Sequence, residues 1–159
     1  MAKVMGESVD RTERRASVER REGKLIVSSW SNTENFWIAN GWFTIVDDAE
    51  TDDLALGQAI REALSRTESG IPTPSRAELS KKRPVLKALG LRGENAYMEG
   101  TGSVDVLGKN GAPNLEVTPH ENEGRSGFIS IADAREQVPR DVPPEQLAAA
   151  VRRALARCA

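Results

Sequence analysis

The sequence predicts an α+β fold, a mostly antiparallel sheet with amphipathic helices packed on it. Three observations carry this. Short β-branched runs such as KLIVSSW and the alternating GSVDVLG are bounded by Gly or Asn, which is how strands read. Two separate stretches, LGQAIREALSR (Leu56–Arg66) and LAAAVRRALAR (Leu147–Arg157), put apolar residues on one narrow, Ala-rich stripe suited to lying on a sheet. The chain has 159 residues, 38% hydrophobic and 29% charged, enough for one globular domain with a sizeable core.

Residues 1–23 are charged with both signs and poor in large apolar side chains. They read as a flexible arm with one strand near Ala16–Val18, ahead of a single α+β domain at 24–159. Lys24–Trp30 is the first well-marked strand. In FWIANGWFTIV the Asn40-Gly41 pair is a tight-turn signal, so strand–turn–strand is expected there. Leu56, Ala59, Ile60, Ala63 and Leu64 then form one buried helix face, with Thr51 as the expected N-cap and Gly70, Pro72 and Pro74 as the stop. SRAELSKKRPVLKALG predicts a short helix broken near Pro84 and ended by Gly90. A hairpin turning at Gly108–Gly111, a strand in GFISIA and a closing helix after Pro143 and Pro144 complete the chain.

The two helices invite comparison. Six of their eleven positions are identical, and each follows a glycine, an aromatic strand and an acidic loop. Convergence on common helix formers explains this, and so does a duplicated strand–loop–helix unit. In either case the regularity lies on the buried stripe. Gln58 and Glu62 become Ala149 and Arg153, so recognition is expected in the unrepeated parts.

No apolar run near the start resembles a signal peptide and none is long enough to span a membrane, so a cytoplasmic location is expected. A single cysteine, Cys158, offers neither a disulfide framework nor a thiolate metal site. The net charge of −2 is unevenly spread. Residues 34–53 hold six acids and no base, 76–92 hold six bases against Glu78, and 94–123 hold six acids against Lys109. Direct nucleic-acid binding is disfavoured by this balance.

Catalytic motifs are absent. There is no phosphate loop and no dinucleotide fingerprint. PHENEG has Gly124 where a zincin helix needs its second histidine, and GRSGF has Phe128 where a nucleophile elbow needs glycine. His120 is the lone histidine, so a Ser–His or Cys–His device would require it beside Ser126 or Cys158. Asp47, Asp48, Glu50, Asp52 and Asp53 exceed what one helix cap needs, and part of the run is expected to steer a basic partner. Trp30, Phe36, Trp37, Trp42 and Phe43 cluster within fourteen positions and read first as core, otherwise as an interface anchor.

Taken together, FWIANGWFTIVDD leading into LGQAIREALSR, LEVTPHENEGRSGFISI and the ending PPEQLAAAVRRALARC resemble one group of bacterial contact-dependent growth inhibition (CDI) immunity proteins. The similarity covers residues 24–159 and contains no catalytic motif. It implies a non-enzymatic antidote without cofactors that binds and neutralises the C-terminal toxin domain, commonly a nuclease, of a cognate surface protein. Asp47, Asp48, Glu50, Asp52 and Asp53, with Glu121 and Glu123, are the candidate toxin contacts. The alternatives are a small hydrolase or transferase using His120, and a regulatory subunit whose basic segment Lys81–Arg92 binds an acidic partner.

Overall fold

The order of strands in the sheet differs from their order in the chain. The computed structural model describes residues 11–158, and the first ten residues of the expected arm lie outside them. Seven strands are present among the described residues: β1 (Arg14–Arg21), β2 (Lys24–Asn32), β3 (Trp37–Asp47), β4 (Gly102–Gly108), β5 (Asn114–Asn122), β6 (Phe128–Ser130) and β7 (Glu136–Pro139). They run β3-β2-β1-β4-β5-β6, every neighbour antiparallel, and β7 takes the other half of β5. The helices are α1 (Asp53–Ser65), α2 (Arg76–Leu79), α3 (Pro84–Ala88), α4 (Glu94–Met98) and α5 (Pro144–Leu155).

Strand β1 lies between β2 and β4, in the middle of the sheet, although the sequence placed it in the arm. Its charge does not oppose this. Ala16 and Val18 point into the helix-covered core, and the arginines at its ends find acceptors. Arg15 pairs with Asp105, and Arg20 donates to the carbonyl of Leu155.

Helices α1 and α5 cover one face. Leu56, Ile60, Leu147 and Val151 pack on Val18, Val27, Val104 and Val117 as one core. Asp52, rather than the expected Thr51, caps α1 by accepting from the Ala55 N–H at 2.8 Å. At Gly57 the two helices come so close that a Cβ would lie 2.0 Å from the Pro144 carbonyl oxygen, so only glycine fits. The strands preceding the similar helices lie at opposite sides of the sheet, β3 on one edge and three-residue β6 on the other. A 3-10 turn and β7 intervene only in the second unit.

Asn40-Gly41 turns out to be a bulge inside β3 and not a hairpin turn. Ser28 pairs with Phe43 and Trp30 with Ala39, so three residues of β3 oppose Ser29 alone. Gly41 supplies the positive φ of 93° that a bulge and a tight turn both demand. The Asn40 amide donates to Ser29 and Ser31, pinning the bulge to β2. The reversal between β2 and β3 occurs at Thr33–Phe36, where the Thr33 hydroxyl accepts from the N–H groups of Asn35 and Phe36.

The break expected near Pro84 separates α2 from α3. A reciprocal Ser75–Glu78 capping box starts α2, and Pro84 opens α3. Val85, Leu86 and Tyr97 pack on Ile26 as a second, smaller core on the opposite face of the sheet.

Candidate functional site: a groove on the second face of the sheet

The segment holding α2, α3 and α4 covers only part of this second face. What remains is a groove of about 1270 Å³ between the sheet and the Leu79–Lys87 rim. Strand alternation decides which side chains reach it. Register puts Ser17, Ser28, Asp105 and Phe43 on one cross-strand row, with Arg15, Trp30 and Trp37 on the rows beside it.

Arg15 organises the floor. Its Nε donates to Asp105 Oδ1 at 2.6 Å, and its guanidinium lies 4.8 Å from the Trp30 ring centre and 5.6 Å from that of Trp37. Trp30 Nε1 in turn donates to Ser17 Oγ at 2.9 Å. Three of the clustered aromatics, Trp30, Phe36 and Trp37, therefore line the groove instead of filling the core. Trp42 and Phe43 line it too, but also pack against the two cores.

A second chain of contacts crosses β1, β4 and β5. Glu19 is 7% exposed and accepts from the Tyr97 hydroxyl, with Ser103 Oγ 3.4 Å from its other oxygen. Burial raises the pKa of Glu19 above the carboxylate range, outweighing the hydrogen bonds from Tyr97 and Ser103 and the attraction of Arg83. His120 Nδ1 lies 3.2 Å from Ser103 Oγ, and its ring stacks on Phe128. Burial also lowers the His120 pKa and favours the neutral ring.

His120 thus sits in strand β5, paired with Ser103, and not in a solvated turn. The hydroxyl beside it belongs to Ser103 rather than to Ser126, which lies in a 3-10 turn after β5. Ser103 is 2% exposed and lies between His120 and Glu19. A hydrolytic triad instead puts histidine between the acid and an accessible serine. Cys158 is also occupied elsewhere, its Sγ against the Ser103 carbonyl at 3.2 Å.

The acidic run is largely engaged within the fold. Arg152 on α5 donates to Asp48 and Asp53, both at 2.8 Å, and to the Thr51 carbonyl at 2.6 Å. Asp47 pairs with Lys24 at 3.3 Å, and Asp52 caps α1. Glu50 is exposed, as are Glu121 at the end of β5 and Glu123 beyond it. These acids are not part of the groove lining. The sequence showed the aromatic cluster and the basic segment separately, but not that the fold brings them to one face.

Among the described residues, no helix is long and apolar enough to cross a membrane.

Comparison with known proteins agrees with the fold. The family model described as CdiI, CDI immunity protein, matches residues 14–158. A solved protein of unknown function from Neisseria meningitidis is similar with a TM-score of 0.76 at 19% identity, over 96% of this chain and 99% of that one. A chain of the CdiA-CT/CdiI toxin and immunity complex from Yersinia pseudotuberculosis is similar with a TM-score of 0.73 at 18% identity, over 93% and 98% respectively. No curated protein matches in sequence. The structural likenesses give the shared fold, while the family match spans nearly the whole described chain. The chain belongs to the CDI immunity protein family.

Proposed function

We propose that this chain binds and neutralises the C-terminal toxin domain of a cognate CDI surface protein. It acts in the cytoplasm as an inhibitor and not as an enzyme, and the toxin is a nuclease. The family match over residues 14–158 carries this reading. The groove chemistry supports it, because the one histidine contacts a buried serine and no solvent-facing nucleophile. The exposed carboxylates offer the charge that a nuclease's basic phosphate-binding surface would attract.

Asp47, Asp48, Glu50, Asp52, Asp53, Glu121 and Glu123 are the acidic contacts in this reading. Glu50, Glu121 and Glu123 should contribute most, since Arg152 already holds Asp48 and Asp53. Producing the chain in cells that make its cognate CDI toxin domain should restore growth. Undiminished toxicity would sink the proposal. Replacing Glu50, Glu121 and Glu123 by Lys should slow association about tenfold at low salt. An unchanged rate would remove those carboxylates from the interface and leave the protection result standing.

A further inference from the structure

The groove carries features that packing alone does not require. Its floor presents an arginine held against two tryptophans, and its edges expose Leu79 (51%) and Phe36 (37%). Trp, Tyr and Arg dominate the energetic centres of protein interfaces. A volume of about 1270 Å³, open to solvent, also exceeds the roughly 300–1000 Å³ of ordinary small-molecule sites.

Charge then selects the occupant. Arg15 is neutralised by Asp105 on the floor. The rim holds Lys81, Lys82, Arg83 and Lys87 against Glu78 and Glu94, a local excess of two positive charges on a chain whose net charge is −2. Arg83 and Glu94 are joined by two hydrogen bonds of 2.6 and 2.7 Å, and Glu78 is tied into the Ser75 capping box. Lys82 and Lys87 are exposed and have no carboxylate partner among the described residues.

We infer that this groove is where the toxin domain docks, receiving a carboxylate-bearing segment whose apolar side chains cover Trp30 and Trp37. The inference rests on the immunity reading and deepens it. Single-stranded RNA would also offer anions and stacking faces. The acid-rich stretches 34–53 and 94–123 and the negative net charge oppose a long polyanion, so a polypeptide is the better match.

The test uses the full chain and a catalytically silenced form of the cognate toxin domain. Binding kinetics are recorded between about 50 and 300 mM salt. The Lys81→Glu, Lys82→Glu, Lys87→Glu triple variant changes only exposed side chains and should associate about tenfold more slowly, with a flatter salt dependence. Trp37→Ala should dissociate at least about tenfold faster. Leu79→Asp, at an exposed rim position, replaces it if Trp37→Ala does not fold.

Parental binding that survives in the triple variant and in the apolar variant overturns the groove while leaving the immunity reading intact. A parental chain that neither binds the toxin domain nor protects overturns both. A short single-stranded RNA that binds the parent, competes with the toxin domain and is lost from the triple variant overturns the choice of a polypeptide.

Discussion

The guanidinium of Arg152 and the carboxylate of Asp53 meet at 2.8 Å across the seam between α5 and α1. The same guanidinium also holds Asp48 and the Thr51 carbonyl, so one side chain fixes the acidic loop and the two helices together. Arg152→Ala leaves two neighbouring carboxylates without their shared cation. The pairs are part-exposed, and the expected loss is about 1–2 kcal/mol, read as a fall in melting temperature of about 2–8 °C. A melting temperature equal to the parent's would show that this clamp does not contribute.

Gly57 makes a sharper case. An exposed helix glycine normally gains about 0.5–1 kcal/mol on replacement by alanine. Here the new Cβ would lie 2.0 Å from the Pro144 carbonyl oxygen, and backbone cannot rotate away as a side chain can. Gly57→Ala should therefore destabilise by about 2 kcal/mol or more, while Gln58→Ala, on the exposed side of the same helix, should be nearly neutral. Denaturant midpoints for the two variants decide the matter.

Glu19 gives a pH signature. Its pKa is raised in the fold, chiefly by burial, so an unfolded chain releases that proton first as pH rises through about 4.5. The stability linked to it is fully present below that pH and is lost as pH climbs toward the folded-state value. Glu19→Gln keeps an acceptor for the Tyr97 hydroxyl and has no charge to desolvate. It should melt higher than the parent at pH 7, by about 2–4 °C for each kcal/mol recovered, and show little advantage at pH 4. Equal displacement at both pH values would exclude this account.

His120 acts in the opposite sense. Burial lowers its pKa, so the unfolded chain takes up a proton first as pH falls through about 6.5. The associated stability is present above that pH and is lost on acidification. His120→Gln should gain stability relative to the parent as pH falls from about 7 to 5. A profile of unchanged slope would mean that the ring is as readily protonated in the fold as outside it.

The helices were legible because their signal is local. Leu56, Ile60 and Leu64 repeat at helical spacing, as do Leu147, Val151 and Leu155, and all six are buried. Asn40-Gly41 was misread because positive φ serves a turn and a bulge equally, and only the pairing of β2 with β3 separates them. The place of β1 was hidden for a similar reason, since its pairing with β4 closes a loop of more than eighty residues. Arg152 and Asp53 are 99 positions apart, so no spacing announced that the acidic run would be held internally. The groove draws on stretches far apart in the chain, among them those around Arg15, Trp30, Trp37, Lys82, Tyr97 and His120. Its parts were readable one by one, but their convergence follows from the strand order.

Amide hydrogen exchange of the full chain, with and without a catalytically silenced cognate toxin domain, addresses the docking surface most directly. Exchange slowed at Leu79–Lys87 and along Trp37–Phe43, with the buried stripes Leu56–Leu64 of α1 and Leu147–Leu155 of α5 unchanged, is the predicted pattern. Slowing confined to residues 47–53 and 121–123, with the groove segments unaffected, would contradict it.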